Sequence, residues 1–263
     1  MIIAQITDTH LSDVNAADPK FSARAENLRA CIADINDLDP LPDAVIHTGD
    51  ITQHGRSEEF AHARELLQTL EAPLYVTPGN RDGRDGVVRA FAGDGYIIPD
   101  YAFVHYAIDE HPVRLVAVDS LGNGIGPKGD FCHDRLAALD ATLAEAPTRP
   151  TALFMHHPPF DVPAAPDPFA YQRRRAVVDL ATVVSRHKQV IHIFAGHMHR
   201  PWTAMLGGVS ASTVPSVAAD LRYGSYLPTM ATQPVYQMHR FDDDESFVNE
   251  PRLPGSDAGS LKV

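Results

Sequence analysis

The sequence predicts an α/β fold built as one large domain. Short β-branched runs alternate with longer amphipathic segments, polar residues able to bind metals fall just after those runs, and no linker or charge block divides the 263 residues. Residues 2–6 (IIAQI) open the pattern as a buried strand. A helix follows over 23–38, because Leu28, Cys31, Ile32, Ile35 and Leu38 share one stripe. Strand 44–47 precedes helix 57–70, where Ser57 followed by Glu58 and Glu59 makes an acidic helix start. Strands 74–76, 114–118, 151–155 and 190–194 continue the alternation, with helices at 133–144 and 171–186 among the later ones. After Ala195 the pattern turns to shorter strands, 203–205, 209–213 and 235–241, joined by turns. The domain is expected to span 1–242 and to end in a polar, frayed tail, 243–263.

Composition limits the partners. Lys and Arg number 22 against 34 Asp and Glu, a formal net charge of −12, and no basic stripe is present that could follow a nucleic-acid duplex or an anionic membrane. A small soluble substrate is the expectation. Were it an anionic phosphate ester, bound divalent cations would supply the local positive charge that the chain as a whole lacks. Cys31 and Cys132 form neither a CxxC motif nor a framework of pairs, which suits a reducing compartment. The opening MIIAQITDTHLS has no basic leader region or cleavage site, and the apolar runs fall short of a membrane span. The expected location is cytoplasmic.

The polar exceptions sit at strand ends. Asp8 and His10 follow the first strand, Gly49 and Asp50 the second, Gly79 and Asn80 the third, His156 a later one, and Gly196, His197 and His199 another. In an open α/β sheet such loops converge on one rim. Four imidazoles, two carboxylates and an amide form a donor set suited to zinc, manganese or iron. Singly, each has a plainer reading: an Asp as a cap or turn former, a His as a hydrogen-bonded structural residue. The pairs Asp8/His10 and His197/His199 are stronger, since i and i+2 can point to one side. Gly49, Gly79 and Gly196 each directly precede a candidate donor, as expected where backbone turns sharply or approaches a metal.

The ordered set resembles the calcineurin-like metallophosphoesterase family. The match lies in DTH at Asp8 to His10, GD at Gly49 and Asp50, GN at Gly79 and Asn80, HHPP at His156 to Pro159, and GHMH at Gly196 to His199. The resemblance implies a β-sandwich of two mixed sheets flanked by helices. It implies two divalent metal ions (Mn, Fe, Zn or Co), one held by Asp8, His10, Asp50 and His199 and the other by Asp50, Asn80, His156 and His197, with Asp50 as the bridge. It further implies hydrolysis by in-line attack of a metal-held hydroxide on phosphorus. Two such ions lie about 3.5–4 Å apart and clamp the attacking and leaving oxygens.

One position departs from the family pattern. Where relatives continue GN with His and an acid, this chain reads Arg81 and Asp82. A guanidinium stays protonated but forks onto two phosphate oxygens, so Arg81 is expected to clamp phosphate, with the leaving group protonated by a metal-bound water or by His157. The plainer reading is a surface Arg paired to Asp82 or Asp85. His54 is a candidate for lining the site, and His47 for a supporting or core role. Phe160, Phe169 and Tyr171, in the Pro-rich segment 158–171, are candidates for stacking on a base or for plain packing. A Gly-rich loop, 121–131, is expected opposite. Within the family the layout looks most like bacterial class III cyclic nucleotide phosphodiesterases and related glycerophosphodiesterases, which implies a small phosphodiester substrate. The alternatives are a phosphomonoesterase, a nucleotide-sugar pyrophosphatase, or a binding scaffold without catalysis. A homodimer or higher homo-oligomer is compatible with the resemblance.

Overall fold

Asp18 decides where the first helix begins. In a computed structural model that describes residues 1–99, 102–122, 126–226, 228–242 and 246–255, its side chain accepts from the Lys20 amide, and Pro19 occupies the first helical turn. Helix α1 therefore runs Pro19–Asn36, starting ahead of the apolar stripe. The other helices are α2 (Ser57–Leu67), α3 (Arg84–Phe91), α4 (His133–Ala144), α5 (Arg174–Arg186) and the single turn α6 (Pro228–Ala231). Helix α5 begins later than the sequence pattern suggests, because Tyr171 is fully buried and donates its hydroxyl to the His157 carbonyl at 2.8 Å.

Eleven strands among the described residues form two mixed sheets. They are β1 (Ile2–Ile6), β2 (Ala44–His47), β3 (Leu74–Val76), β4 (Tyr106–Ile108), β5 (Arg114–Ala117), β6 (Thr151–Met155), β7 (Val190–Ala195), β8 (Trp202–Leu206), β9 (Val209–Thr213), β10 (Tyr236–Phe241) and β11 (Phe247–Arg252). One sheet has the order β11-β10-β1-β2-β3 and the other β4-β5-β6-β7-β9-β8. Strands β1, β2 and β3 run parallel, as do β5, β6, β7 and β9, while β10, β11, β4 and β8 pair antiparallel.

Period-two alternation assigns the second sheet's two faces. Ala152 and Phe154 of β6 join the core shared with the first sheet, whereas Leu153 and Met155 pack with Leu139 and Leu143 of α4 and Leu180 and Val184 of α5. Phe194 on β7 meets His239 on β10 at 4.3 Å and Phe247 on β11 at 5.1 Å, ring centre to ring centre. The expected β-sandwich of two mixed sheets flanked by helices is what the chain forms.

The tail is a correction. Phe247–Arg252, expected to fray, instead pairs along β10 from Tyr236↔Arg252 to Phe241↔Phe247. The Phe247 ring packed over β7 gives that segment an apolar anchor its polar composition hides. The rest of the expected tail, from 256 on, lies outside the described residues, as do 123–125 of the Gly-rich loop. Among the described residues no helix is long and apolar enough to cross a membrane.

Candidate metal centre

Parallel strands β1, β2, β6 and β7, with β3, deliver their following loops to one rim, and the seven predicted donors meet there. Asp8, His10, Asp50 and His199 form one group whose donor atoms lie within 4.8 Å of one another. In it His199 Nε2 is 3.2 Å from Asp8 Oδ1 and 3.4 Å from His10 Nε2, and His10 Nε2 is 3.5 Å from Asp50 Oδ2. The second group centres on His156 Nε2, which lies 3.1 Å from Asn80 Oδ1, 3.1 Å from His197 Nδ1 and 3.5 Å from Asp50 Oδ1. Asp50 thus turns one oxygen to each group.

The backbone bends to achieve this. The five non-glycine residues at positive φ among those described are Asp8 (52°), His10 (46°), Asp50 (52°), His197 (68°) and His199 (51°), all candidate donors. Left-handed backbone outside glycine clusters at functional sites, where surrounding structure holds it. The loops also approach too closely for side chains. A Cβ on Gly79 would overlap the Asp50 amide and carboxylate, and one on Gly196 would overlap the Thr7 hydroxyl.

A ring of supporting hydrogen bonds aims the donors. His156 Nδ1 donates to the Thr48 carbonyl at 2.8 Å and His199 Nδ1 to the Leu221 carbonyl at 2.9 Å, each freeing Nε2 for the centre. Asp8 Oδ2 accepts from the Thr7 hydroxyl (2.8 Å) and the His197 amide (3.0 Å). His47 joins the first two loops: Nε2 lies 3.0 Å from Thr9 Oγ1, and Nδ1 accepts from the Gly49 amide at 3.2 Å. Asp82, which the sequence offered as the acid of a motif or as a partner for Arg81, accepts from the amides of Ile51, Thr52 and Gly79 and from the Thr52 hydroxyl at 2.8–3.0 Å. It locks the loop carrying Asp50 to the loop carrying Asn80.

The donor set fits divalent cations. Asp8 Oδ1 is buried with no hydrogen-bond partner, as is His10 Nδ1. An unpaired carboxylate oxygen so placed is costly unless a cation meets it. Burial pushes the Asp50 carboxyl well above its usual range, and the neighbouring charges of Asp8 and Asp82 push it further. Asp8 moves the other way: burial opposes ionisation, but the neighbouring His199 ring outweighs it and holds the carboxyl low. Burial holds His10, His156 and His197 below the ordinary imidazole value, as neutral donors.

Several candidate side chains are engaged elsewhere. His157 is buried, with Nδ1 2.9 Å from Ser120 Oγ and Nε2 donating to the Pro127 carbonyl at 2.8 Å, so both ring nitrogens are hydrogen-bonded, although one of them lies within 4.8 Å of ring nitrogens of His156 and His197. Its ring packs edge-on against His156 at 4.8 Å and lies 4.6 Å from His197, which makes it a prop for the donors. Phe160 is only 8% exposed and belongs to the core behind the second sheet, so it offers no face to a base; Tyr171 is buried too, and the Arg174 guanidinium covers the Phe169 ring at 4.2 Å. His54 hydrogen-bonds Glu59 through Nδ1 at 2.8 Å rather than any of the seven donors. Arg81 sits beside Asp50. Its amide donates to Asp50 Oδ1 at 2.8 Å and its side chain is exposed, while Asp82 is consumed by the loop bonds above. Asp119 and Ser120 end β5 as supports, Asp119 gripping the Arg84 guanidinium and Ser120 gripping His157.

Comparison with known proteins agrees with this geometry. The glycerophosphodiester phosphodiesterase GpdQ of Enterobacter lignolyticus is 32% identical, covering 85% of this chain and 80% of its own. The 3′,5′-cyclic adenosine monophosphate phosphodiesterase CpdA of Escherichia coli K12 is 26% identical, covering 84% and 77%. Among solved structures, a dimetal phosphatase from Danio rerio shares the fold with a TM-score of 0.69 at 15% identity, over 97% of this chain and 96% of that one. The calcineurin-like phosphoesterase model matches residues 1–201, the stretch that carries all seven candidate donors, and the chain belongs to that family.

Proposed function

We propose that the protein hydrolyses a small phosphodiester, a glycerophosphodiester or a 3′,5′-cyclic nucleotide, at a centre for two divalent metal ions. The observation that carries this reading is the split of Asp50, with Oδ2 facing His10 in one donor group and Oδ1 facing His156 in the other. Asp8, His10, Asp50 and His199 would hold one ion, and Asp50, Asn80, His156 and His197 the second. Bound ions would supply Lewis-acid polarisation of the phosphoryl group and acidification of water. Arg81, whose backbone amide donates to Asp50 and whose side chain is exposed, would fork its guanidinium onto phosphate oxygens. Asp82 keeps the two central loops at fixed separation, and His157 keeps the His156 and His197 rings in place. Filled donor positions speak against a scaffold without catalysis. Relatives named for both glycerophosphodiester and cyclic nucleotide hydrolysis support the diester over the monoester. The unpaired thiols, Cys31 buried and Cys132 half-buried, fit a cytoplasmic setting.

The test is turnover of the Mn²⁺-loaded protein on bis(p-nitrophenyl) phosphate, p-nitrophenyl phosphate, glycerophosphodiesters and cyclic nucleotides. The diesters are expected to be the better substrates, and Asn80→Ala to lose at least about a hundredfold in kcat/KM together with bound metal. Full activity in that variant would refute the two-ion centre. Preference for the monoester would refute the diester reading.

A further inference from the structure

We propose that the molecule carries a second ligand site, in the mouth between its two sheets, for an uncharged planar heterocycle of the nucleobase class. A cavity of about 530 Å³ lies where β10 and β11 of one sheet overhang β8 and β9 of the other. None of the seven metal-donor candidates lines it, so it is separate from the centre described above. Its volume falls within the range of about 300–1,000 Å³ typical of small-molecule sites, and its wall is largely apolar, with Trp202, Tyr226 and Met230 contributing.

The polar exception is what points to a ligand. Gln237 on β10 is 7% exposed, lines the cavity, and has no side-chain hydrogen bond among the described residues. Its primary amide offers two donors and an acceptor to whatever fills the cavity. Its neighbour His239 does not meet them, since the ring bonds Gln5 Oε1 at 2.9 Å and Asn249 Oδ1 at 2.6 Å instead. The lining holds no Lys, Arg, Asp or Glu among the described residues, which disfavours a phosphate or any other charged group. An amide beside an indole matches a flat molecule with adjacent donor and acceptor atoms, the edge that Gln reads bidentately on adenine, stacked on an aromatic face.

Trp202 is the only tryptophan of the chain, so its fluorescence reports on the cavity directly. Adenine titrated into the metal-loaded protein is expected to give a saturable change in emission, matched by calorimetry. Purine, which lacks the exocyclic amine, should bind about tenfold more weakly or worse. Gln237→Leu should weaken adenine by about tenfold while hydrolysis of bis(p-nitrophenyl) phosphate is unchanged. Gln237→Met serves the same purpose if the leucine variant unfolds. No saturable change at millimolar adenine would overturn the assignment, as would equal affinity for purine or wild-type affinity in both variants. So would displacement of adenine by a phosphodiester substrate, or a dimer whose formation blocks adenine.

Discussion

Replacing Gly79 by Ala separates two reasons for which a loop needs glycine. Gly79 does not have a positive φ, so alanine fits its backbone; the obstacle is space, since the new Cβ would sit against the Asp50 amide and carboxylate and 2.8 Å from Asp50 Cα. Real Cβ atoms keep beyond 3.0 Å, and the neighbours here are Asp50 backbone and its carboxylate, so either Asp50 or the Asn80 loop must shift. Overpacking of this kind costs about 1–3 kcal/mol of stability. A displacement near 1 Å of a group at the reacting centre costs about a hundredfold in rate. Gly83, at the start of α3, is the contrasting case: its φ is +70° and a Cβ there meets nothing within 4 Å. With ψ at 147° this is backbone that essentially only glycine adopts, so Gly83→Ala should cost about 1–3 kcal/mol through backbone strain alone and leave metal binding intact. Urea unfolding, metal stoichiometry and kcat/KM on bis(p-nitrophenyl) phosphate for both variants decide the matter. Wild-type activity and full metal content in Gly79→Ala would refute the close approach, and with it the claim that the two loops share one rigid centre.

Arg81→Ala is expected to lower kcat/KM by about 10- to 100-fold with unchanged metal content, the loss of two charge-assisted hydrogen bonds to phosphate; unchanged kcat/KM would remove the clamp. Burial holds the His192 ring down to about 4, so the unfolded chain takes up that proton first as the pH falls from about 6.5. Stability should decline through that window by at most about 3 kcal/mol on this account, and urea unfolding of His192→Gln across the same pH range should show a flatter profile. Phe247→Ala should destabilise by about 2 kcal/mol and loosen β11, read as faster amide exchange in Phe247–Arg252; the full cost of a core phenylalanine is about 3–5 kcal/mol, but this ring is only half-buried.

The donors were legible because each stands alone: a charged or imidazole residue directly after an apolar run has few other reasons to be there, and glycine marks the tight approach. What lay hidden was everything set by contacts distant in sequence. Asp82 reads as one more surface acid until its carboxylate is seen gathering amides from two loops. His157 reads as the twin of His156, yet the chain turns between them and sends one ring to the centre and the other to Ser120 and Pro127. Phe160 follows two prolines, which suggests an exposed loop, but the segment folds inward over the second sheet. Strands β4 and β11 escaped notice as sheet edges, one of them three residues long and the other carrying Glu250 and Pro251, where pairing on one side suffices.

The five left-handed donors have a thermodynamic consequence. At about 1–2 kcal/mol each, such backbone costs about 5–10 kcal/mol in sum, the scale of a whole domain's stability. The rim is therefore a loaded spring that the sandwich beneath it keeps compressed. Cations bound as proposed among Asp8, His10, Asp50, His197 and His199 would find these donors already gathered, and the energy that gathers them comes from Phe154, Phe194 and their neighbours in the core.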